Sequence, residues 1–73
     1  MKKLRLNPIE ARIITVLVRE GDYMNTTEIS NEAKVSWNTA LAYLKRLERR
    51  GWVESAGDTK KHWRAIVSED NLD

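Results

Sequence analysis

Two periodicities divide the chain. Ile9, Ile13, Val16 and Leu17 recur at helical spacing behind the start Asn7-Pro8-Ile9-Glu10. There Asn7 can cap the helix, Pro8 suits the first helical position, and Glu10 completes a capping box. Leu6 and Ala11 are placed for a hydrophobic staple, and Gly21 is the natural stop. The β-branched run from Ile13 to Val18 is a poor helix former, but the cap and the period outweigh it. Tyr23-Met24 is too short for a strand of its own but can add to the edge of a sheet. Asn25-Thr26-Thr27-Glu28 repeats the capping pattern and predicts a short helix to about Lys34, with Ile29 and Ala33 buried. Val35-Ser36 reads as a turn, Ser36 capping a third helix over 37–50 that ends at Gly51. Its core stripe is Ala40, Leu44 and Leu47, flanked by Trp37 and Leu41. Asn38, Thr39, Ala42, Lys45, Arg46 and Arg49 cover the opposite face.

Beyond Gly51 the period falls to two. Trp52 to Ser55 reads as a strand, residues 56–59 as a turn around Gly57-Asp58, and 61–67 as the return strand. Trp63, Ala65 and Val67 then share one face, with His62, Arg64 and Ile66 on the other. Trp52 and Trp63 are most simply sheet residues covering the core, and His62 a strand surface residue.

Composition narrows the class. With 41% hydrophobic residues spread along 73 positions, the chain can fold as one domain despite being 33% charged. A core of this size rarely supplies more than about 3–5 kcal/mol, so tight packing or a partner is expected. The absence of cysteine excludes disulfides and thiolate metal sites. No apolar run approaches the roughly 18 residues of a membrane span. The start Met1-Lys2-Lys3-Leu4 lacks a signal peptide's apolar stretch. The expectation is a cytoplasmic, intracellular module with no membrane association. A single His and no Gly-rich phosphate loop give no support to an enzyme, a metal site or a cofactor. High Lys, Arg and Glu content without Gln fits a thermophilic prokaryote, or its virus or plasmid.

The net charge of +2 hides an uneven distribution. Residues 1–33 carry five cations and five anions, residues 34–67 carry eight and three, and residues 68–73 carry three anions alone. The third helix and the hairpin therefore hold the excess of positive charge, as in modules that bind phosphate backbones. A solvated ordinary surface is the alternative reading of the same charges.

The order helix, edge residue, helix, tight turn, helix, hairpin resembles the winged helix-turn-helix domain. The run NTTEISNEAKVSWNTALAYLKRLERRGWVE over 25–54 is similar to the core of MarR- and ArsR-like transcriptional regulators. Glu28, Ile29, Ala33, Val35, Ser36, Thr39, Leu44, Leu47, Gly51 and Val53 carry the likeness, Ala33 leaving room where two helices cross. The resemblance implies a mainly α fold with a small β-hairpin (α+β), a three-helix winged helix-turn-helix over 7–67. Residues 1–6 would be an N-terminal arm and 68–73 a flexible acidic tail.

The resemblance also implies that the third helix enters the major groove of double-stranded DNA. Its candidate base readers are Trp37, Asn38, Thr39, Ala42, Tyr43 and Arg46. Asn38 could pair with adenine, Arg46 with guanine, and Ala42 could meet a thymine methyl. Ser36, Thr39, Lys45 and Arg49 suit phosphates, and Lys60 and Lys61 at the hairpin tip suit a flanking minor groove or backbone. Trp37 is expected first to pack at the helix–helix seam, with a DNA or protein contact as the alternative; Tyr43 stands between core and site. Lys45, Arg46 and Arg49 could instead form only a solvated face with Glu48. Sequence-specific DNA binding by a small regulator is the leading reading, with a homodimer through the first helix or the arm. The alternative is a protein-interaction winged helix using Trp37 or Tyr43, and RNA binding is a third.

Overall fold

The computed structural model describes residues 6–57 and 61–66. The elements run α1 (Pro8–Glu20), β1 (Met24–Asn25), α2 (Thr26–Ala33), α3 (Trp37–Arg49), β2 (Val53–Ala56) and β3 (His62–Ala65). Both expected capping boxes form. Asn7 accepts from the Glu10 amide at 2.8 Å and Asn25 from the Glu28 amide at 2.7 Å, each carboxylate returning to the cap's own N–H. These local bonds satisfy the free amides at each start and set where the helices begin.

The helix ends are equally local. After α3 the Trp52 amide donates to the Leu47 carbonyl and the Gly51 amide to that of Glu48, both at 3.0 Å, with Gly51 left-handed at φ 80°. After α2 the same pair of bonds recurs, from Val35 to Ser30 and from Lys34 to Asn31, with Lys34 at φ 58°. The turn therefore begins one residue before the expected Val35-Ser36. No glycine signalled it, because a lysine occupies the left-handed position.

The three strands form one antiparallel sheet in the order β1-β3-β2. Met24 pairs with Trp63 and Asn25 with His62, so the residues expected at an edge do supply the edge strand, shifted by one. On the other side Val53 pairs with Ala65 and Ser55 with Trp63. Trp52 precedes β2, where its carbonyl accepts from the Ile66 amide at 3.0 Å. Val67 and the turn residues 58–60 lie outside the described residues.

The core joins all these elements. Ile13, Ile14 and Leu17 of α1, Ile29 and Ala33 of α2, and Leu44 and Leu47 of α3 are buried with Met24, Val53 and Trp63. Ile14 belongs to it although helical spacing singled out Val16, which is only half-buried. Trp63 is fully buried, and its indole N–H donates to the Thr26 hydroxyl at 3.0 Å. Trp52 is half-buried against the same cluster. Among the described residues no buried side-chain polar atom lacks a partner.

A side chain in the left-handed region costs about 1–2 kcal/mol, part of which a glycine would return in the unfolded chain. Lys34→Gly is therefore expected to stabilise the fold by about 0.5–1 kcal/mol. A thermal midpoint lowered rather than raised would contradict this account of the turn.

Candidate nucleic-acid interface

The position of α3 follows from one buried stripe and two ends. Ala40, Leu44 and Leu47 face the core with no exposure, and Ala33 of α2 is buried beside them. At the start, the Ser36 hydroxyl accepts from the Thr39 amide at 3.1 Å and donates to the Thr39 hydroxyl at 2.8 Å. The two hydroxyls expected on phosphate are thus joined in the cap. They fix the helix end that carries the remaining orphan amides.

The opposite face is open. Asn38, Ala42, Lys45, Arg46 and Arg49 are exposed, and Thr39 and Tyr43 are half-buried. The Arg46 guanidinium lies 5.4 Å from the centre of the Tyr43 ring. Glu48, the one acid expected to neutralise this face, is half-buried and accepts from the Ser55 hydroxyl of β2 at 2.5 Å. The carboxylate is engaged by the sheet, and Lys45, Arg46 and Arg49 are left as an exposed cationic face.

Trp37 departs from its expected place at the helix seam: it is 48% exposed. Side chains on a helix lean toward its N-terminus, so a residue in the first turn projects past the end of the buried stripe. Ala33 and Ala40 are buried without it. Its indole is instead exposed at the first turn of α3.

The hairpin contributes Lys61, exposed and 5.7 Å from the centre of the Trp63 ring. Lys60, the other expected wing cation, lies outside the described residues, as do the arm 1–5 and the tail. Arg64 is not a free cation: it pairs with Glu54 and lies over the Tyr23 ring at 4.9 Å. The hydrogen bond and charge of Glu54 raise its pKa further above the ordinary arginine value.

Sequence reasoning missed the role of Arg50. Just past the last turn of α3, it lies 3.5 Å from Glu10 and 3.9 Å over the Trp52 ring. Glu10 is itself buried, so this contact joins the start of α1 to the end of α3. The isolated buried-face position of Glu10 in α1 was the available signal. An open groove of about 390 Å³ between α1 and α2 has the reverse charge, with Glu20, Glu28 and Glu32 against Arg19. No helix among the described residues is long and apolar enough to cross a membrane.

The profile of the family described as sugar-specific transcriptional regulator TrmB matches residues 1–69. The chain belongs to the TrmB family. No curated protein matches it in sequence. Its fold is shared with larger regulators of known structure. ZitR of Lactococcus lactis, solved in complex with DNA, is 16% identical over 89% of this TrmB-family chain and 46% of its own, with a TM-score of 0.75. PcaV of Streptomyces coelicolor, solved with its natural ligand, is 20% identical over 85% and 45%, with a TM-score of 0.72. A MarR family regulator from Silicibacter pomeroyi DSS-3 is 21% identical over 84% and 44%, with a TM-score of 0.74. The TrmB-family chain therefore spans about half the length of these structures. At such identities the likeness establishes the fold, the winged helix that the order of elements resembled.

The Glu10 contacts set a stability expectation for this TrmB-family domain. Because the Arg50 side chain is 43% exposed and its contact long, the ion pair contributes little, and the cap-side bond to the Asn7 amide dominates. Glu10→Ala should cost about 1–2 kcal/mol and Glu10→Gln less than about 1 kcal/mol by urea unfolding. Equal losses for the two variants would return the main role to the ion pair.

Proposed function

We propose that this chain is the DNA-reading module of a transcriptional regulator, with α3 in the major groove and the hairpin on the flanking backbone or minor groove. One observation carries the reading. The exposed face of α3 presents Asn38, Ala42, Lys45, Arg46 and Arg49 together, while Glu48, the one acid within α3 itself, is bound by β2. Arg and Asn are the side chains suited to bidentate base contacts, and lysine to phosphate. Family membership supports the regulatory role, and the DNA-bound structure of ZitR supports the docking mode by analogy. The family description names sugar-specific regulation as the setting. The proposed domain is 7–67, acting in the cytoplasm as a homodimer on paired half-sites, without catalytic activity.

A second reading rests on the exposed indole of Trp37, which suits a protein partner as well as a base. Cations dominate the surrounding face, which favours DNA.

Selection of duplexes from a random library, followed by anisotropy titrations, tests the proposal. A motif should emerge, with binding that weakens steeply as salt rises. Arg46→Ala should cost about 1–3 kcal/mol of discrimination at one base pair, while Lys61→Ala should weaken all sequences alike and reduce the salt slope by about 1. Failure to bind any duplex at low salt would overturn DNA reading. Sedimentation of the complex as one chain per site would remove the dimer.

A further inference from the structure

Arg46 poses a geometric difficulty for its role. It is the tenth residue of α3, whereas base contacts in helix-turn-helix docking come from the helix N-terminal half. A flexible arginine at that depth can equally reach the phosphate backbone, where it reads nothing. Its helical neighbours are Ala42 and Tyr43 one turn before, and Arg49 and Arg50 one turn after. Neither later arginine fixes where it stops: Arg50 is held at Glu10 and Trp52, and Arg49 is exposed. The Tyr43 ring supplies a stopping point, since the guanidinium lies 5.4 Å from the ring centre, inside the range of cation–π attraction.

The anchor is itself held. Tyr43 is half-buried and packs against the core, on the turn just before Leu44 and Leu47, which are fully buried. Its ring thus has one side committed to the fold and another available to the cation. A side chain three residues C-terminal leans back over that ring by the ordinary geometry of the helix, a displacement of roughly 4.5 Å along the axis. Among the described residues no acid pairs with Arg46 to draw it elsewhere.

We propose that Tyr43 is a positioning residue that holds the Arg46 guanidinium toward the base-facing half of α3, so that sequence discrimination depends on it more than overall affinity does. This rests on the DNA-reading proposal above. The ring acts before DNA arrives, by restricting the freely rotating arginine to the geometry of a planar base contact. Its hydroxyl plays no part.

The test uses the full chain and the duplex selected by the wild type, beside the same duplex with the Arg46-dependent base pair replaced. Tyr43→Leu keeps the apolar body and removes the aromatic face; Tyr43→Phe keeps the face. Tyr43→Leu should lower the affinity ratio of the two duplexes about two- to fivefold with the salt slope unchanged. Tyr43→Phe should retain the wild-type ratio. In an Arg46→Ala background Tyr43→Leu should change the ratio no further. In the DNA-free protein, the ring-current shift of the Arg46 side-chain protons should survive in Tyr43→Phe and vanish in Tyr43→Leu. An unchanged ratio in Tyr43→Leu, an equal loss in Tyr43→Phe, or a loss that persists without Arg46 would overturn the positioning role while leaving DNA reading intact. If the wild type selects no motif, both fall, and the ring-current measurement then reports only whether the contact exists.

Discussion

Trp63 is the constraint on which the arrangement depends. It lies in the central strand of the sheet, paired with Met24 on one side and Ser55 on the other, and its indole is fully buried. The N–H that would be costly to bury unpaired is met by the hydroxyl of Thr26, the first residue of α2. One side chain therefore joins the returning strand of the hairpin to the start of α2, the helix that precedes α3. In a chain this small, where few residues are fully buried, a large aromatic with a satisfied polar atom fixes orientation as well as burying area. The hairpin cannot swing independently of the helices while that bond and that packing hold.

The placement of α3 then follows from short-range chemistry at both ends. Ser36 and Thr39 close its start, and the paired amide bonds around Gly51 close its end and lead straight into β2. Glu48 and Ser55 tie that last turn to the sheet again, and Arg50 reaches Glu10 at the start of α1. These contacts lie on the core side or at the helix end, so the exposed face is left to Asn38, Ala42, Lys45, Arg46 and Arg49. A rigid helix with an uncommitted outer face is what base recognition requires, because positioning errors of an ångström erase hydrogen-bond selectivity.

Much of this was legible in the sequence, and the reason is that it is local. Asn7 with Glu10, Asn25 with Glu28, Ser36 and Gly51 announce the helix boundaries through bonds made within four residues. The stripe of Ala40, Leu44 and Leu47 and the outward placement of the cations follow from helical period alone. What was not legible depends on contacts distant in sequence. Glu10 with Arg50, Glu48 with Ser55, and Trp63 with Thr26 are separated by 40, 7 and 37 positions, and no periodicity encodes them. Lys34 escaped for another reason: its left-handed backbone is imposed by the sharp turn into α3, against the preference of its own side chain. Trp37 was assigned by its angle around the helix, when its position along the axis decided its exposure.

Charge completes the argument, because its sum is a poor guide to its action. Over the whole sequence the balance is only +2, a value that favours no partner. Locally, Lys45, Arg46 and Arg49 share one exposed helix face, whereas the groove between α1 and α2 collects Glu20, Glu28 and Glu32 against a single arginine. None of the groove's lining residues belongs to α3. At physiological salt, fields from exposed charges fade within about 8 Å, so the local sign of each region matters more to a partner than the sum. Under the proposed DNA-reading mode, a polyanion would be attracted at α3 and repelled at the groove, which would orient the molecule with α3 foremost. The near-neutral total limits attraction elsewhere on the surface, so under that proposal affinity and orientation would coincide at the cationic face.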